Sequence, residues 1–62
     1  MTRDEWIKRY VARLLQGGTW MTEGEAIASA EAGAEASEQA GHINPDEWEG
    51  PEPLADEHLA EG

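Results

Sequence analysis

Cysteine and phenylalanine are absent from this 62-residue chain, and beyond Arg13 lysine and arginine are absent as well. Without cysteine there is no disulfide framework, no thiolate nucleophile and no thiolate zinc site, and redox chemistry places no limit on the compartment. A reducing cytoplasm is the expected setting. No stretch approaches the ~20 apolar residues of a membrane span, and no apolar segment stands behind Met1-Thr2-Arg3-Asp4-Glu5. The chain therefore reads as a soluble, unprocessed product beginning at its own initiator methionine. Its length is close to the lower limit for folding without disulfides or a metal, so one small domain is the ceiling.

Catalytic signatures are missing too. No glycine-rich phosphate loop follows a strand pattern, and neither GxSxG nor HExxH occurs. Adjacent acids such as Asp46 with Glu47 or Asp56 with Glu57 are neighbours in sequence rather than facing carboxylates in separated environments, which acid-base catalysis requires. His42 and His58 lie too far apart for a zinc finger, and the carboxylates lack the spacing of a calcium loop. The expectation is a non-enzyme with no cofactor and no metal.

What is present is negative charge. The chain has 14 Asp and Glu against 4 Lys and Arg, a formal net charge of -10. Such a balance argues against direct contact with nucleic acid or an anionic membrane and points to a basic partner. All the bases, Arg3, Lys8, Arg9 and Arg13, precede residue 14. Ordinary helical surfaces interleave both signs, because opposite charges at i,i+4 support each other and like charges there repel.

An all-α fold follows from the periodicity: a hairpin of two main helices, then one or two short helical turns. Thr2 with Glu5 reads as a capping box opening a helix over 2–16, whose apolar face is Trp6, Ile7, Tyr10, Val11, Leu14 and Leu15 while Lys8, Arg9 and Arg13 face water. Gly17-Gly18 ends it. Thr22 with Glu25 repeats the signature for a second helix within 22–40, which stops at Gly41. Ala26, Ile27, Ala30, Gly33 and Ala34 share one side of that helix, small enough for another helix to approach closely.

Trp20 and Met21 in the connecting turn are expected to wedge between the two helices, with Trp6 and Trp20 both in the core. Pro45, Pro51 and Pro53 break the acidic segment 42–62 into short pieces. Within it, Asn44-Pro45 forms an N-cap and first helical position, Leu54 and Leu59 touch the core, and the last three or four residues fray. Trp48 either docks this segment onto the hairpin or anchors an interface.

The candidate binding residues are carboxylates. Glu31, Glu35 and Glu38 fall at i, i+4, i+7 on one stripe spanning roughly 10 Å, with no base in their own helix. Asp46, Glu47, Glu49, Glu52, Asp56 and Glu57 supply a second cluster. Acidic surfaces also keep small proteins soluble, and Glu is a good helix former. Solubility alone, however, gains nothing from removing every base after Arg13. Two acidic patches on one small particle approximate the charge of duplex DNA, about one per 1.7 Å of axis.

The opening Met1-Thr2-Arg3-Asp4-Glu5-Trp6-Ile7-Lys8-Arg9-Tyr10-Val11-Ala12-Arg13-Leu14-Leu15, the Ala/Glu-rich second helix and the closing Asn44-Pro45-Asp46-Glu47-Trp48-Glu49-Gly50-Pro51-Glu52-Pro53 together resemble short acidic proteins of phages and mobile elements of high-GC bacteria, specifically the anti-CRISPR proteins acting on type I-C systems. The resemblance implies a DNA mimic in a bacterial cytoplasm that binds the large subunit of the crRNA-guided surveillance complex, the nine carboxylates standing in for phosphates. A second expectation from the residues is a small phage structural, assembly or antitoxin-like protein forming a homo-oligomer through the alanine face. Monomer and weak homodimer both fit the sequence.

Overall fold

A computed structural model describes residues 1–61, and the chain is all-helical: α1 (Arg3–Gln16), α2 (Glu23–Gln39), a 3-10 turn (Pro45–Glu47) and α3 (Pro51–Glu61). Each boundary has a local cause. Thr2 accepts a hydrogen bond from the Glu5 amide at 3.1 Å, and Thr22 and Glu25 form a complete capping box. Both hairpin helices end in the glycine motif with 6→1 and 5→2 bonds: Thr19 and Gly18 donate to Leu14 and Leu15, and His42 and Gly41 donate to Ser37 and Glu38. Gly18 and Gly41 adopt φ of 79° and 98°, the left-handed region that a Cβ disfavours.

The last element is longer than the one or two turns expected from its prolines. Pro51 and Pro53 occupy the first turn of α3, where amides have no intrahelical acceptor to lose, so these prolines start the helix instead of interrupting it. The helix then continues to Glu61, through residues expected to fray. The Asn44 cap forms as anticipated, its side chain accepting from the Asp46 amide at 3.1 Å.

Helix α1 is the shared element, packing against both α2 and α3. Trp6 to Glu49, Arg9 to Glu52 and Arg13 to Asp56 all join residues 43 apart, so α1 and α3 run parallel and in register. Arg3 to Glu38 and Tyr10 to Ser29 converge instead, as an antiparallel hairpin requires. The core comprises Trp6, Tyr10, Val11 and Leu14 of α1, Ala26, Ala30 and Ala34 of α2, then Trp48 and Ala55. Leu54 and Leu59 pack against it as expected.

Trp6 organises this core. Its ring stacks on Tyr10 at 5.5 Å and 9°, and meets Trp48 edge-on at 5.4 Å and 84°, favoured arrangements for aromatic pairs. Its indole N–H donates to the Glu49 carbonyl at 3.0 Å, and the Trp48 N–H donates to the His42 carbonyl. Trp48 therefore docks the C-terminal segment onto the hairpin. Trp20 departs from expectation: it is 74% exposed, outside the core, while its neighbour Met21 packs against it. Trp20 lies in the turn that follows the α1 stop, while the core beside the alanine face is filled by Trp6, Tyr10 and Trp48.

Candidate functional site

The sequence-marked carboxylates divide into two groups according to whether a base reaches them. Four of the nine are engaged. Arg9 grips Glu52 with two bonds of 2.9 and 3.0 Å, and Arg13 grips Asp56 with two of 2.8 and 3.1 Å. Arg3 reaches Glu38 at 3.4 Å, and the amino terminus of Met1 contacts Asp46. Arg9 also lies 3.9 Å from Glu5, one turn back on its own helix. The arginines are exposed or half-exposed, as the helix face suggested, yet they are spent on internal pairs.

The electrostatics follow the geometry. Hydrogen bonding and charge from Arg9 hold the Glu52 carboxyl below its ordinary value, and Arg13 does the same for Asp56; both guanidinium groups are raised in return. Partial desolvation and the neighbouring Glu57 push Glu49 upward. Charge and a side-chain hydrogen bond from Glu57 both favour the protonated Glu49 carboxyl, and neither glutamate is in an ion pair with an arginine among the described residues. Glu25 is lowered by its capping bonds to Thr22.

Glu31, Glu35, Glu47, Glu49 and Glu57 are exposed and make no ion pair within 4 Å among the described residues; Glu35 accepts only from Gln39, at 3.2 Å. Lys8 is the one Lys or Arg among the described residues without a carboxylate in reach. The net charge of -10 is spread over a particle 31 Å long, which is one net negative charge per about 3 Å. Duplex DNA carries one per about 1.7 Å of axis. The particle thus carries roughly half the linear charge density of a duplex.

The structure uses His58 in a way the spacing of the histidines did not suggest. Half-buried in α3, it meets the Tyr10 hydroxyl through Nδ1, and that hydroxyl also lies 3.3 Å from Ser29 Oγ. One side chain of α1 thereby ties both other helices together. No group of three or more His, Asp and Glu able to hold a metal occurs among the described residues. No helix among them is long and apolar enough to cross a membrane. The alanine face expected to serve self-association is consumed inside the monomer: Ala26, Ala30 and Ala34 are fully buried, and the Trp6 ring edge lies 3.7 Å from where a Cβ on Gly33 would sit.

The ion pairs were missed because they cross elements, but a signal existed. Arg9 and Arg13 are spaced i,i+4, and Glu52 and Asp56 repeat that spacing with opposite sign. Two helices in parallel register would align them. No protein-family model, curated protein or solved structure matches this chain.

Proposed function

We propose that this protein is a non-enzymatic, acidic DNA mimic that binds a positively charged nucleic-acid-binding surface and blocks it, with the large subunit of a type I-C CRISPR surveillance complex as the favoured target. The observation that carries the reading is the disposition of charge: the three arginines, though exposed or half-exposed, are each paired with a carboxylate of the fold, leaving five of the candidate carboxylates exposed without a basic partner among the described residues and Lys8 as the one Lys or Arg without a carboxylate in reach. Within the nine candidate carboxylates, the unpaired set Glu31, Glu35, Glu47, Glu49 and Glu57 takes the role of phosphates. Glu38, Asp46, Glu52 and Asp56 chiefly hold the particle together. Carboxylates without internal partners raise the energy of the free protein, and a basic partner relieves that cost on binding.

The test is capture of a type I-C surveillance complex by this protein at low salt, followed by target-DNA binding of that complex with and without it. Capture with loss of DNA binding, weakening steeply as salt rises, is the expected outcome. Failure to capture the complex at low salt, where acidic contacts are strongest, would sink the assignment to this target.

A further inference from the structure

The acidic surface borders an apolar one. On the side of the hairpin away from the arginine clamps, α1 and α2 leave an open groove of about 360 Å³, walled by Ile7, Val11 and Leu15 on α1 and Ile27 on α2, with Lys8 and Glu23 also lining it. Leu15 is 41% exposed and Ile27 38%. Leu15 and Ile27 are thus partly exposed and line the same groove, forming an apolar patch where single exposed aliphatics would carry no meaning. Ile27 sits within a run at i,i+4 steps, Glu23, Ile27, Glu31, Glu35, which follows one slowly turning stripe of α2. The apolar wall therefore passes directly into the unpaired carboxylates.

We infer that this groove seats a basic amphipathic helix of the partner protein. Its aliphatic side chains enter between Leu15 and Ile27, and the Lys or Arg residues flanking them meet Glu23, Glu31 and Glu35. This is the helix-in-groove mode, in which buried aliphatics fix the register and rim charges choose the partner. Charge complementarity selects the occupant: apart from Lys8, every charged residue on the groove and the stripe is a carboxylate. The inference rests on the basic-partner reading and narrows it. Duplex DNA offers a partner no aliphatic wall, so the mimic holds its target by a contact that DNA itself cannot make, and part of the affinity resists salt.

The experiment is fluorescence anisotropy of a labelled synthetic Lys/Leu peptide of about five helical turns, with leucines at i, i+3, i+4 and i+7, against a permuted peptide of equal composition that has no apolar face. Wild-type protein, Leu15→Ser, Ile27→Ser and Lys8→Glu are compared at low and high salt, with helicity checked by circular dichroism. The amphipathic peptide is expected to bind at least about tenfold tighter than the permuted one, and each serine variant to lose about tenfold while staying folded. Lys8→Glu is expected to tighten binding.

Equal binding of the two peptides, or serine variants that bind like wild type, overturns the groove. So does a wild-type dimer in sedimentation that Lys8→Glu disperses, because Lys8 pairing with Glu23 across a two-fold axis would mean that a second copy fills this face. The peptide assay contains neither DNA nor a surveillance complex. Groove binding without displacement of DNA from the complex would therefore reject the DNA-mimic function alone, and the reverse pattern would reject the groove alone.

Discussion

Arg13 holds Asp56 in a two-pronged grip across the α1/α3 interface, and one turn earlier Arg9 holds Glu52 in the same way. The two clamps share a register, so they act as a pair that aligns the third helix on the first. Paired guanidinium-carboxylate bonds are stronger and more directional than single contacts. They are also solvent-exposed, which limits each to a modest contribution. Replacing both arginines with glutamine is expected to lower the thermal midpoint by a few degrees and to loosen α3 first, seen as faster amide exchange over 52–60 with α1 and α2 still protected.

The same clamps set an acid limit. Glu52 and Asp56 titrate below their ordinary values of 4.5 and 3.8 in the folded protein, so their contribution is complete above those values and is lost as pH falls through the lowered folded ones. Glu49 acts in the opposite sense. Raised above its ordinary 4.5, it takes up a proton more readily when folded, so stability grows as pH falls through its folded value. Denaturant midpoints measured across pH should rise slightly as pH falls from neutrality towards 4.5, then decline as it falls below the ordinary 4.5 of Glu52 and 3.8 of Asp56. Glu49→Gln should remove the rise, and the Arg9/Arg13 double variant should flatten the decline. A curve unchanged by either variant would contradict these assignments.

Glycines provide a graded test of packing. Gly33 lies mid-helix, and a Cβ there would rest 3.7 Å from the Trp6 ring edge, an ordinary contact. Gly33→Ala should therefore stabilise the fold by up to about 1 kcal/mol through helix propensity. At Gly17 a Cβ would collide with a terminal methyl of Leu59, so Gly17→Ala forces that side chain to shift and is expected to weaken α3 docking. The two alanine variants should thus move the thermal midpoint in opposite directions.

Trp48 and Trp20 invert the importance that their positions in the chain suggest. Trp48 is 8% exposed against Trp6, whereas Trp20 is 74% exposed. Trp48→Ala should cost about 3–5 kcal/mol, comparable with the whole stability of so small a domain, and leave it largely unfolded at room temperature. Trp20→Ala should leave the unfolding midpoint within about 0.5 kcal/mol of wild type. Equal losses from both would contradict the packing described.

Much of this fold is local in origin and was legible for that reason. The Thr2 and Thr22 caps, the Gly18 and Gly41 stops and the Asn44-Pro45 start each depend on residues within a few positions of one another. The length of α3 was hidden because proline is read as a breaker unless its place in the first turn is known. The burial of Trp48 depends on its edge-on contact with Trp6, a pairing between residues far apart in sequence, and Trp20 has no such partner ring among the aromatic pairs of the described residues. The division of the carboxylates was hidden for the same reason: composition counts charges, while only the parallel register of α1 and α3 decides which of them meet.

That division yields the sharpest binding prediction. Glu31, Glu35 and Glu38 occupy one stripe, but Glu38 alone is reached by a base, Arg3. If the unpaired carboxylates stand in for phosphates, Glu31→Gln with Glu35→Gln should weaken capture of a surveillance complex strongly and flatten its salt dependence, because two charges that meet bases on the partner are gone. Glu38→Gln should act differently. It frees Arg3 beside the contact surface, so any loss of affinity comes from an exposed like charge rather than a missing contact, and adding Arg3→Gln should restore most of it. Capture measured across a salt series for the three variants separates the cases: equal losses for Glu31→Gln and Glu38→Gln, with no rescue by Arg3→Gln, would show that the stripe acts only through total charge.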